Sequence, residues 1–264
     1  MDYHVHRKNQ GDFDRQFDKS HVKMSPDGAQ ILVSKSVTTN GKIISGSFGT
    51  TRKDILFGTF RSSLRPPAIP GTVSSFYYYR NDSAEIDMEL LSRFTDPHKV
   101  YFAIHPQIYN PNGAASNLTQ DKHPLTFDPT SAIHEYRFDW LPDQVQFYVD
   151  GQNYRTLSTN VPNSPGRVLF NHWSDGNPNF SGDPPSDLDI YFLIANATFF
   201  FNTTQQPTLS CQSRQLPCLV SDIMAKNLVP KSELPLTAVS RANAASIPFH
   251  SLALCVASFM VFLA

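Results

Sequence analysis

The chain has 264 residues, 40% of them hydrophobic and 12% aromatic, enough apolar side chain to bury one β-sandwich core without calling for a second domain. A formal net charge of −1 with no basic stretch argues against nucleic acid as a partner, whereas an uncharged polysaccharide needs no charge complement. The 20 Phe and 10 Tyr suit a β-rich sugar binder, and no phosphate loop, nucleotide fingerprint, internal repeat or metal-ligand spacing among the nine histidines calls for a cofactor.

The first 19 residues are charged and polar, so residues 1–11 are expected to be disordered and the folded domain to occupy 12–204. Asp27-Gly28 is a turn signal, followed by a strand over 31–36. Further strands are expected over 41–48 and 55–65. Pro66, Pro67 and Pro70 then mark a loop, because proline has no amide proton to give a ladder. In the run SSFYYY, Ser75, Tyr77 and Tyr79 alternate with Phe76 and Tyr78. Tyrosine faces stack on sugar rings, which makes Tyr77 and Tyr79 candidate subsite residues. A tyrosine lattice inside a sandwich is the competing reading.

Residues 84–94, AEIDMELLSRF, place Glu85, Asp87 and Glu89 at strict alternation with Ile86, Met88 and Leu90. Period two means a strand with one acidic and one apolar face, and three acids on one pleated face repel one another. A solvated charged face is the bland explanation. The chemical one is glycoside hydrolysis, in which one carboxyl group protonates the leaving oxygen and another attacks the sugar carbon or activates water. At about 3.3 Å per residue the Cα atoms of Glu85 and Glu89 stand about 13 Å apart. A double displacement needs carboxyl groups about 5–5.5 Å apart, so both side chains must lean inward over Asp87. Asp87 is then expected to share a proton or hydrogen bond with a neighbour and raise that neighbour's pKa.

Residues 100–109 read as the partner strand, with His105 on the pleat of Tyr101 and Ala103. His105 is a candidate for bonding a sugar hydroxyl, set against an ordinary structural histidine. Residues 110–130, rich in Asn, Pro and Gly, read as a long loop walling a cleft. Tyr136, Phe138 and Trp140, then Val145, Phe147 and Val149, form a core hairpin ended by Asp150-Gly151. On the strand RVLFNHW, Asn171 and Trp173 share one face, Phe170 and His172 the other; residues 188–201 close the sheet.

Taken together, EIDME (85–89), FGTF (57–60), GTVSSFYYY (71–79), HEYRFDWLPDQVQFYVDG (134–151) and RVLFNHWSDG (167–176) resemble glycoside hydrolase family 16, and the wording FNHWSDGNP is most like its fungal members. The resemblance implies an all-β, antiparallel β-sandwich, a jelly roll of the concanavalin A-like lectin/glucanase type. It implies retaining cleavage of β-1,3 or mixed-linkage β-glucans, with Glu85 as nucleophile, Glu89 as general acid/base and Asp87 as electrostatic helper. It also puts Asn171 and Trp173 in the cleft, the indole as a platform for a pyranose. Where relatives often carry an acid, Asn and Trp, this chain has Arg61, Ala103 and Phe180. No cofactor is implied, and the structural calcium of some relatives has no ligands that can be placed here. A cell-wall transglycosylase uses the same triad, and a carbohydrate-binding jelly roll without chemistry is the rival from another class.

Residues 205–245 read as a linker, in which Cys211 and Cys218 are expected to pair. Residues 246–264 form a hydrophobic tail, containing Cys255, whose last 14 residues are uncharged and too short for a span of about 20. With the small residues Asn243, Ala244 and Ala245 before it, the tail resembles a glycosylphosphatidylinositol-attachment signal. Sequons at Asn81, Asn117, Asn179, Asn196 and Asn202 suit a secreted glycoprotein. Against this, the first 19 residues contain no apolar stretch able to serve as a signal peptide, so the sequence is expected to begin downstream of its true start. The expectation is a monomer at the cell surface or wall, touching the membrane only through lipid; a fragment retained in the cytosol is the other outcome.

Overall fold

The computed structural model describes residues 1–6 and 11–204 and, beyond them, one strand at 257–259. In chain order the strands are β1 (Tyr3–Val5), β2 (Asp14–Phe17), β3 (Val22–Ser25), β4 (Gly28–Val33), β5 (Lys42–Gly49), β6 (Ile55–Arg65), β7 (Val73–Asn81), β8 (Ala84–Leu91), β9 (Lys99–His105), β10 (Gln120–Pro124), β11 (His134–Trp140), β12 (Val145–Val149), β13 (Gln152–Leu157), β14 (Arg167–Trp173), β15 (Ile190–Thr203) and β16 (Ala257–Phe259). Two sheets form, one in the order β1-β2-β5-β14-β7-β8-β9-β10 and the other β13-β12-β11-β6-β15-β4-β3, with β16 beside β15. Every pairing is antiparallel except β2 with β5. Among the described residues the one helical segment is a 3-10 turn at Lys19–His21.

The sandwich closes because each central strand has an apolar alternate face. Ile86, Met88 and Leu90 of β8, Phe76 and Tyr78 of β7, and Val168 and Phe170 of β14 meet Tyr136, Phe138 and Trp140 of β11, Phe60 of β6 and Phe199 of β15. Phe76 lies 4.8 Å from Phe170 and 5.1 Å from Phe138 between ring centroids, at the centre of this aromatic stack. Burying each such ring contributes about 1.5–3 kcal/mol.

The alternate residues of the same strands, Ser75, Tyr77, Glu85, Asp87, Glu89, Asn171 and Trp173, therefore face away from the second sheet. That face is recessed, for Tyr77 and Asp87 are each 7% exposed and Trp173 6% although none belongs to the inter-sheet core. Part of the wall is a second apolar cluster of Phe17, Val73, Leu91, Tyr101 and Trp173, with Val5, Phe94 and Phe180 against it. The loop after β14 is drawn in at Gly71, where φ is +108° and an added Cβ would sit 1.9 Å from the Asp183 carbonyl oxygen.

Three local expectations change. Residues 1–11 are not wholly disordered, because Tyr3–Val5 pairs with Arg15–Phe17 and Tyr3 stacks on Phe17 at 4.3 Å. A polar strand holds when one aromatic docks on the sheet it joins. The 110–130 segment includes β10, paired from Gln120–Ala103 to Pro124–Lys99. Its charged residues conceal an edge strand, which has only one ladder to fill and tolerates solvated side chains. β9 stops at His105 rather than running to 109, since Pro106 follows and lacks a ladder donor. The linker, Cys211, Cys218, Cys255 and the anchor site near Asn243 lie outside the described residues, save that Ala257–Phe259 pairs with Phe199–Phe201.

Candidate active site

The register of the central strands assembles the site. On β7 and β8, Tyr79 stands opposite Glu85, Tyr77 opposite Asp87 and Ser75 opposite Glu89. On β9, His105 stands opposite Glu85, Ala103 opposite Asp87 and Tyr101 opposite Glu89. Small Ala103 leaves room beside Asp87, and His105 Nε2 lies 3.3 Å from Asp87 Oδ2. Glu85, Asp87 and His105 bring one polar atom each within 4.8 Å of one another. Ser75 Oγ donates to Glu89 Oε1 at 3.1 Å. Thus Glu85 and Asp87 form one tight group with His105, and Glu89, next along the strand, is hydrogen-bonded by Ser75.

Burial first, and then the charge of Asp87, push Glu85 up to about 10. Burial and the charge of Glu89 raise Asp87 well above the carboxylate range, and burial raises Glu89 against the opposing hydrogen bond from Ser75. The triad therefore holds a proton at neutral pH and does not carry three negative charges. Glu85 and Asp87 are hydrogen-bonded to each other, and Asp87 is the largest charge acting on Glu85. A proton on Asp87 removes that charge and eases the ionisation of Glu85. His105 draws Glu85 and Glu89 downward.

Tyr77 is enclosed, with its hydroxyl accepting from Asn171 Nδ2 at 3.1 Å and meeting the hydroxyl of Tyr3. Asn171 Oδ1 is buried with no hydrogen-bond partner among the described residues. A buried acceptor without a partner costs free energy that a sugar hydroxyl in the groove would recover. Tyr79 is half-buried at the rim, donating to Asp82 Oδ1 at 3.1 Å. Trp173 lies between two neighbours instead of forming an open platform. The Arg15 guanidinium is 4.1 Å from its ring centroid, and Phe180 stacks on it at 5.8 Å with 13° between planes. A sugar that stacks on this indole must displace Arg15. On the opposite pleat of β14, His172 is fully buried, donates from Nδ1 to the Ile31 carbonyl at 2.9 Å, and is held down to about 4 by burial, so it is neutral.

The eight sequence candidates, Glu85, Asp87, Glu89, Tyr77, Tyr79, His105, Asn171 and Trp173, thus all fall on one face of one sheet. Sequence reasoning passed over Ser75, Arg15 and Tyr3. Ser75 was legible, since it shares the pleat of Tyr77; Tyr3 lay in the part expected to be disordered, and Arg15 in a stretch that read as charged and polar. Arg61 is away from the acids, paired with Glu135 at 3.8 Å on the second sheet.

An antiparallel two-sheet sandwich with three acids in a row along its recessed face defines a carbohydrate-active jelly roll. The family described as Glycosyl hydrolases family 16 matches residues 9–188, and the chain belongs to that family. It is 32% identical over 160 residues to a β-glucanase of Paenibacillus polymyxa, covering 59% of this chain and 63% of that protein. Among solved structures it resembles the Bacillus licheniformis β-glucanase, with a TM-score of 0.60 and 25% identity, over 74% of this chain and 88% of that one. The fold is shared with the Crh5 transglycosylase at a TM-score of 0.54 and 19% identity, over 70% of this chain and 76% of that one. The chain spans less than two thirds of the length of the curated relatives it matches.

Proposed function

We propose that this chain is a retaining glycoside hydrolase that cleaves β-1,3 or mixed-linkage β-glucans. The observation that carries the reading is the unequal housing of three acids on one strand: Glu85 hydrogen-bonded to Asp87, and Glu89 accepting a hydrogen bond from Ser75. Glu85, ionised when the shared proton rests on Asp87, attacks the anomeric carbon, while Glu89 donates its proton to the departing glycosidic oxygen. A covalent glycosyl-enzyme results. Glu89, now a carboxylate, takes a proton from water, which displaces Glu85 with overall retention. The unpartnered Asn171 Oδ1 and the Tyr77 hydroxyl beside it would receive sugar hydroxyls. No residue of this scheme requires a cofactor.

Incubating the chain with laminarin, mixed-linkage glucan and chitin and sizing the products tests the proposal. Shortened oligosaccharides from either glucan support it. Products longer than the substrate would assign the triad to transfer between chains, and intact polysaccharide throughout would leave only carbohydrate binding.

Cell-surface residence belongs to the same proposal. Asn81, Asn117 and Asn179 are exposed, so these three sequons are open to a glycosyltransferase. A mobility shift with peptide N-glycosidase on protein from its native host would support secretion. Release by a phosphatidylinositol-specific phospholipase would support lipid attachment near Asn243, and retention with residues 251–264 still present by mass would defeat it.

A further inference from the structure

We propose that His4, His6 and Asp14 form a binding site for a divalent transition-metal ion of the zinc class at the edge of the groove. His4 and His6 stand two residues apart at β1, so their imidazoles project to the same side of the strand. β1 pairs with β2 so that Val5 faces Arg15, which brings the residue after Val5 beside Asp14. His4 Nε2 lies 3.1 Å from Asp14 Oδ2, and His6 Nδ1 lies 3.3 Å from the same oxygen. One donor atom from each residue falls within 4.8 Å of the other two.

Tetrahedral zinc, with bonds of about 2.0–2.2 Å to imidazole nitrogen and carboxylate oxygen, sets neighbouring ligand atoms about 3.3–3.5 Å apart. Two of the three edges of that triangle are already close to this length. Two imidazoles with one carboxylate suit zinc, copper or nickel and not calcium or magnesium, which take oxygen donors. The side chain of His6 is 80% exposed and that of Asp14 23%, so the triad lies at the surface, where an ion can reach it. The ion would tie β1 to β2 and so hold Tyr3, stacked on Phe17, with its hydroxyl against Ser47 and Tyr77 in the groove. The sequence hid this triad because Asp14 is eight residues beyond His6 and only strand pairing brings it back.

The test uses zinc alone, titrated into the full chain by calorimetry, with cobalt substitution read by visible absorption. One equivalent should bind, and cobalt should give the intense bands of a four-coordinate ion. His6→Asn and His4→Gln should each weaken binding at least tenfold, and zinc should slow amide exchange at Tyr3–Val5 at least tenfold in the wild type only. His6 is exposed, so His6→Asn should leave metal-free glucan cleavage unchanged. Glu85, Asp87 and His105 are the other described group able to hold a cation, so Glu85→Gln is the control. No zinc binding, equal binding by wild type and His6→Asn, loss of binding in Glu85→Gln, or no protection of β1 would each overturn the proposal.

Discussion

Glu85, Asp87 and Glu89 share one strand but differ in what touches them, and their mutants should differ accordingly. Glu85→Ala should abolish turnover, and azide filling the emptied space should restore it with inversion, because the small anion attacks in one displacement. Glu89→Ala should lose about 10²–10⁴-fold on natural glucan yet still form the glycosyl-enzyme from a dinitrophenyl glycoside, whose leaving group needs no proton. Azide should rescue that mutant with retained configuration, since Glu85 still forms the intermediate. Proton NMR of the product anomers reads both outcomes; the reverse stereochemistry would exchange the two roles. Asp87→Asn should lower kcat without changing retention, because Asp87 sets when Glu85 ionises and makes no bond to the sugar.

β7 shows how one strand serves core and groove by alternation. Phe76 is buried in the inter-sheet aromatic stack, and its neighbour Tyr77 points the other way, bonded to Asn171. Phe76→Ala should cost about 3–5 kcal/mol in urea denaturation, the range for truncating a buried phenylalanine. Tyr77→Phe keeps the ring and removes only the hydroxyl. Its unfolding free energy should fall by no more than about 1.5 kcal/mol, while KM for glucan rises because Asn171 loses its partner. A loss of stability equal to that of Phe76→Ala would show that Tyr77 is a core residue and not part of the groove.

For the molecule as a whole, the buried acids set a stability that falls as pH rises. In the folded state Glu85 is pushed up to about 10 from its ordinary value of 4.5, so between those limits the folded chain holds a proton that the unfolded chain has released. Stability is then greatest below the unfolded value and declines toward the folded one. Glu85→Gln removes the share of this dependence that Glu85 carries, and Asp87 and Glu89 keep theirs. The variant's melting temperature should exceed that of the wild type at pH 8, and the gap should close toward pH 4, as measured by calorimetric melts across that range. A gap independent of pH would mean that the acid is solvated in the folded state.

The strand of acids, the alternation of Tyr77 with Phe76 and of Asn171 with Phe170, and the β-sandwich class were legible in the chain itself. Period-two patterning is a local property, and a strand in a sandwich must put one alternate set inside. Other features were not legible, because they depend on which strand lies beside which. His105 meets Asp87 across β8 and β9, and Arg15 covers Trp173 from β2. The strength of the pKa shifts is likewise a matter of burial, which comes from walls distant in sequence. Residues 1–6 and 120–124 were misread for the same reason: a short polar segment has no pattern of its own, and becomes a strand because an existing sheet edge offers it hydrogen bonds.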